Sequence, residues 1–146
     1  MPKFAQGRFE MKNPGKYVGN KKPLARSSWE FVFMRMLDEH PGVETWASES
    51  IQIPYRDPLT GKYTVYVPDF FIVYQDKNGR KNAEVVEVKP ANQTVREKVG
   101  KSRYNQEQYI KNMAKWEAAA AWCKQKRVKF RIVSEDDIFH QGHKRK

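Results

Sequence analysis

The sequence predicts an α/β sandwich, a mixed central sheet flanked by helices. Three observations point there. An amphipathic helical stripe opens the body of the chain. Short strand-like runs separated by turns fill residues 50 to 88, and a long helical segment followed by one more alternating strand closes the order. A length of 146 residues fits one domain. Apolar residues make up 39% and aromatics 13%, enough for a real core because each aromatic side chain buries a large area.

Residues 1–26 are basic and broken by Pro14-Gly15, Gly19 and Pro23. Lys3, Arg8, Lys12, Lys16, Lys21, Lys22 and Arg26 face a single acid, Glu10, so an irregular N-terminal arm is expected. Such an arm is either a disordered tail or a segment that orders on touching phosphates. The compact body is expected over 27–139. Its first helix runs from Ser27 to Glu39, with Trp29, Val32, Phe33, Met36 and Leu37 at helical spacing and Pro41-Gly42 as the stop. Ser27-x-x-Glu30 fits a capping box, in which the glutamate bonds back to the cap.

Ser50 to Tyr55 reads as a short strand, and Arg56 to Lys62, rich in Asp, Pro and Gly, as a turn. Tyr63 to Val67 reads as a second strand that runs through Pro68-Asp69 into Phe70 to Tyr74. Asp76-Lys77-Asn78-Gly79-Arg80 carries the Asn-Gly pair of a tight hairpin, and Ala83 to Val88 returns beside the preceding strand until Pro90 ends it. The polar, basic stretch 91–103 (Gln93, Arg96, Lys98, Lys101, Arg103) is a loop or weak helix. Tyr104 to Lys126 is a long helix whose core stripe is Tyr109, Met113, Trp116, Ala120 and Cys123. Val128 to Val133 is the last strand, Ser134-x-x-Asp137 caps a terminal turn with Ile138 and Phe139, and 140–146 is a basic tail.

Composition narrows the function. Lys and Arg number 28 against 17 Asp and Glu, a formal net charge of +11, and a polyanionic partner is the simplest reason for that excess. The lone cysteine, Cys123, allows neither an intrachain disulfide nor a cysteine zinc site. His40, His140 and His143 show no ligand spacing, which disfavours histidine-dependent nucleases. The apolar runs fall far short of a membrane span, and no secretory signal follows Met1, so a reducing, cytoplasmic setting is expected.

The chemistry is concentrated in Val67-Pro68-Asp69-Phe70 and Glu87-Val88-Lys89. Folding the two runs against each other brings Asp69 close to Glu87. A strand period of two sets Val85, Glu87 and Lys89 on one face and leaves Glu84 out of phase. Two carboxylates beside a lysine can hold a divalent cation and steer a water, the chemistry of metal-assisted phosphodiester cleavage. Hard oxygen ligands suit Mg²⁺ or Mn²⁺. Lys89 orients the attacking water and favours its hydroxide form, or neutralises charge building on the phosphate.

These residues resemble the PD-(D/E)xK nuclease superfamily, with Pro68-Asp69 as the first half of the motif and Glu87-Val88-Lys89 as the second. The resemblance implies a restriction-endonuclease-like sandwich, the backbone carbonyl of Val88 turned to the metal, and a third carboxylate, Glu30, supplied by the first helix. For Glu30, capping and metal ligation both stand as readings. Arg26-Ser27-Ser28-Trp29-Glu30, Trp46-Ala47-Ser48-Glu49, Ile53-Pro54-Tyr55 and Ala114-Lys115-Trp116-Glu117-Ala118-Ala119 occur in that order around the motif. Together they resemble the head-completion nuclease family of tailed phages, which is similar to the TnsA-type end-cleaving subunits. TnsA-type proteins often carry glutamine where Glu87 stands.

What the resemblance implies is a metal-dependent endonuclease acting on packaged or terminal double-stranded DNA, leaving a 3′-hydroxyl and a 5′-phosphate. Its setting is the host cytoplasm or the virion, with phage head or neck proteins as further partners and a monomeric or homodimeric state. Gln108, Asn112 and Lys115 on the long helix are weaker candidates for site or DNA contacts, Lys115 being expected to face solvent. The competing readings are a homing or repair endonuclease on the same fold and a non-catalytic DNA-binding protein of the virion neck.

Overall fold

The computed structural model describes residues 7–91, 100–135 and 137. Its centre is a four-stranded mixed sheet in the order β3 (Val43–Ser48), β6 (Phe70–Gln75), β7 (Lys81–Val88), β8 (Lys129–Val133). The first two pairings are antiparallel, and β7 pairs with β8 in parallel. The parallel pair is joined by a long crossover that contains α2 (Arg103–Lys126), as parallel neighbours require. Helix α1 (Ser28–Glu39) covers one face of the sheet. Its buried Phe33, Met34 and Leu37 pack with Trp46, Phe70, Ile72, Val86, Val88 and Val133. The alternate residues of the same strands face the other way, where Phe130 and Ile132 meet Trp116 and Ala119 of α2.

Ser27 is the N-cap of α1, its hydroxyl accepting the Glu30 amide at 3.1 Å. The hairpin at 76–80 forms as the Asn-Gly pair requires. Gly79 sits at φ 77, and Asp76 Oδ1 accepts the amides of Asn78 and Arg80 at 2.9 and 3.0 Å. In α2 the buried positions are Asn112, Trp116, Ala119 and Cys123. Ala119, not the expected Ala120, thus lies on the stripe, and Ala120 is exposed.

Two strand assignments change. The strand β3 has no counterpart among the expected strands, because Trp46, Ala47 and Ser48 are all buried and no in-out alternation marks it. The expected continuous strand 63–74 is two strands in two sheets. Tyr63–Tyr66 (β5) pairs with Ile53–Arg56 (β4) in a separate hairpin, while β6 enters the central sheet. The break falls at Val67-Pro68-Asp69, where the proline has no amide to continue a ladder.

Residues 7–26 are mostly irregular and lie on the core. Gly7–Arg8 (β1) pairs with Leu24–Ala25 (β2), Phe9 is buried beside Trp46, and buried Asp38 accepts the amides of Lys12 and Asn13 at 2.9 and 3.0 Å. Near the other end, Asp137 Oδ2 accepts the Ser134 amide at 2.9 Å. Gln93, Arg96 and Lys98, the turn residues Ile138 and Phe139, and the tail 140–146 lie outside the described residues, as do residues 1–6.

Candidate active site

Asp69 sits in the break between β5 and β6, and two backbone bonds fix it there. Its Oδ2 accepts the Val88 amide at 2.8 Å, which draws the carboxylate against the end of β7. Its carbonyl accepts the Glu49 amide at 2.9 Å. Glu87, buried near the end of β7, points to the α2 side, where the Tyr66 hydroxyl donates to its Oε1 at 2.8 Å. Two residues on, Lys89 Nζ lies 3.9 Å from Glu87 Oε2. The Lys89 amide donates to Val133 at 2.9 Å, so β8 holds the strand end that carries the lysine.

The environment perturbs both carboxyls. Burial, with a smaller push from Glu49, raises Asp69 to about 6, against the pull of the Val88 amide, Lys89 and a hydrogen bond with Glu87. Burial and the charge of Asp69 push Glu87 up to about 8, with Tyr66, Lys89 and Lys115 pulling the other way. Two carboxyls pressed together away from water resist joint ionisation, which is the electrostatic signature of a site short of positive charge.

Glu30 lies nearby. Its Oε1 accepts the Arg26 amide at a long 3.4 Å, one residue before the cap. Burial and the charge of Asp69 raise its carboxyl to about 7. The structure thus brings Glu30 within electrostatic reach of Asp69 while leaving it a weak capping bond. Asn112 is buried and Gln108 half-buried on α2. Lys115, expected to face solvent, is half-buried, its ammonium 5.8 Å from the centre of the Tyr66 ring. Glu84 is on the opposite face, paired with Arg131 at 2.8 Å.

Sequence reasoning gave no role to three neighbours of the site. Glu49 stands beside Asp69 at φ 50, a left-handed conformation unusual without glycine. Arg26 grips both of its oxygens, at 2.9 and 3.1 Å, and this pairing pulls Glu49 below the usual carboxylate range. Tyr66 closes the far side of Glu87. The signals were present, since Arg26 and Glu49 stand in the ordered motifs and Tyr66 ends a strand two residues before Pro68.

Among the described residues, no three of Asp, Glu, His and Cys group closely enough to hold an ion alone. The donor set still fits Mg²⁺ or Mn²⁺. Such ions take one or two carboxylates and fill the remaining positions with water and substrate phosphate. The excess negative charge of the Asp69–Glu87 pair is what a cation would relieve.

The description "TnsA-like endonuclease N terminal" matches residues 40–135, which hold both halves of the carboxylate–lysine motif. The chain belongs to the TnsA-like endonuclease family. A head completion nuclease of Enterobacteria phage T4 is 34% identical over 149 aligned residues, covering 94% of this chain and 96% of that protein. The TnsA-like match begins at His40, after α1, so Glu30 and Arg26 lie outside it, whereas the similarity to the phage nuclease extends over nearly the whole chain.

Proposed function

We propose that the protein is a divalent-metal-dependent DNA endonuclease. It hydrolyses phosphodiester bonds in packaged or terminal double-stranded DNA during phage head completion, in the host cytoplasm or at the virion. The observation that carries this reading is the pairing of half-buried Asp69 and buried Glu87 with Lys89 Nζ 3.9 Å from the second carboxylate. The phage setting rests on the similarity to the T4 head completion nuclease.

Asp69 and Glu87 would hold the ion, the Val88 carbonyl would add a neutral oxygen, and Glu30 would join as a third carboxylate once the ion draws it in from the start of α1. A bound Mg²⁺ or Mn²⁺ supplies Lewis-acid polarisation of the phosphate and a lower pKa for water. The Val88 amide keeps the Asp69 carboxylate from rotating away. Tyr66 fixes one oxygen of Glu87 and leaves the other toward Lys89. Lys89 orients the attacking water and offsets negative charge on the phosphate as the leaving oxygen departs. The products are a 3′-hydroxyl and a 5′-phosphate.

The test is conversion of supercoiled plasmid to nicked and linear forms with Mg²⁺, with chelator, and with Asp69→Asn and Lys89→Met variants. Asparagine can still accept the Val88 amide, so the fold should survive while cleavage falls about 100-fold or more. Wild-type cleavage in chelator, or full activity in Asp69→Asn, sinks the proposal.

A further inference from the structure

Lys115 is a charged group near the site that the mechanism leaves unused. It projects from the middle of α2, half-buried, with its ammonium over the Tyr66 ring. That ring is the one whose hydroxyl bonds Glu87. Two lysines therefore approach the same carboxylate from different elements, Lys89 from the end of β7 and Lys115 from α2. Both pull on the Glu87 proton. Their partners differ. Lys89 faces Glu87 directly at 3.9 Å, whereas Lys115 makes no ion pair among the described residues. One turn earlier on the same helix, Lys111 is taken by Asp57 at 3.9 Å.

Burial is costly for an ammonium that rests over a ring and makes no ion pair among the described residues, because the ring replaces only part of the lost hydration. Burial and the nearby charge of Lys89 accordingly lower the Lys115 pKa. A residue held this way is poised for an anion that arrives with the substrate. A strand laid across the site presents a row of phosphates. Lys89 takes the reacting one, and the aromatic ring separates Lys115 from it.

We infer that Lys115 is a phosphate-binding residue, holding a phosphate of the bound strand next to the scissile one and so aligning the strand on the Asp69–Glu87 pair. This rests on the DNA-endonuclease reading above. It places the strand between β7 and α2, with the Tyr66 ring as the spacer.

The test compares the wild-type chain with Lys115→Met, which keeps the stem and removes the charge, and with Lys115→Arg. A short DNA duplex is the probe, with Ca²⁺ replacing Mg²⁺ to hold the complex uncleaved. Affinity is measured across a series of salt concentrations, alongside the single-turnover cleavage rate at saturating DNA in Mg²⁺ and a thermal melt. Lys115→Met should weaken binding about tenfold or more. It should also reduce the slope of log affinity against log salt by about one, because one fewer counterion is displaced. The saturated rate should fall as well, because the strand is no longer held in line with the Asp69–Glu87 pair, and Lys115→Arg should restore affinity, slope and rate. An unchanged slope in Lys115→Met overturns the inference. So does a weakening that arginine does not rescue and that tracks a lowered melting temperature, since that marks a merely structural lysine. If the wild-type chain itself neither binds nor cuts duplex DNA, the endonuclease reading fails and this inference with it. Normal wild-type behaviour with an indifferent variant removes the inference alone.

Discussion

The carboxylate of Glu30 accepts the Arg26 amide at 3.4 Å, longer than a good capping bond, and Asp69 helps hold its pKa near 7. A group that served only as a cap would gain from ionising, because a charged acceptor strengthens the bond and suits the helix N-terminus. Here burial and the charge of Asp69 work against ionisation. Glu30→Gln separates the two roles. Glutamine can still reach the Arg26 amide, so the melt should stay within about 1 kcal/mol of wild type. The Mg²⁺ concentration for half-maximal cleavage should rise sharply. Wild-type Mg²⁺ dependence in this variant would confine the ion to Asp69 and Glu87. At this scale the sequence was legible where residues are close along the chain. Glu87 and Lys89 share a strand face by period alone. Arg26, Glu49, Tyr66 and Lys115 converge from four separate segments, and no local pattern announces such convergence. Lys115 in particular was expected in solvent, because a lysine on an amphipathic helix usually faces outward.

The elements divide in the same way. The β6–β7 hairpin was readable from Asn78-Gly79, although the loop between Gln75 and Lys81 is longer than a two-residue turn and only Gly79 of the pair takes positive φ. Gly79→Ala tests this directly. An added Cβ meets nothing within 4 Å, so any loss comes from forcing an L-residue to φ 77. The expected cost is about 1–2 kcal/mol in denaturant unfolding, with cleavage retained. A loss near zero would mean that the turn relaxes to another type. By contrast, β3 could not be read, since it carries buried residues on both faces at Trp46, Ala47 and Ser48. The break at Val67-Pro68-Asp69 was legible as a proline but not as a change of sheet. That change is what matters for function. It frees Asp69 from any ladder, so its carboxylate can turn onto the Val88 amide.

Across the whole molecule, an excess of 28 basic over 17 acidic residues surrounds a site whose own charge is negative. The basic exterior suits attraction of a polyanion, and the acidic centre suits a cation. This arrangement makes stability respond to pH and metal together. Unfolded, Asp69 and Glu87 lose their protons near 3.8 and 4.5; folded, they hold them to about 6 and 8. Between those limits the folded state binds more protons than the unfolded one, so stability falls as pH rises. Glu30 adds the same sign up to about 7. Glu49, depressed by Arg26, acts oppositely, losing its contribution as pH falls through the acid range. The most direct measurement is the melting temperature of the metal-free chain from pH 5 to pH 8.5, with and without Mn²⁺, for wild type and Glu87→Gln. The account predicts a fall in chelator as pH rises through 8. Saturating Mn²⁺, at about 100 times its Kd, should return about 2.7 kcal/mol at the alkaline end. Glu87→Gln should flatten the fall and abolish the Mn²⁺ response. A wild-type melt indifferent to Mn²⁺ at pH 8.5, or an equal response in Glu87→Gln, contradicts the assignment of the Asp69–Glu87 pair as the seat of the ion.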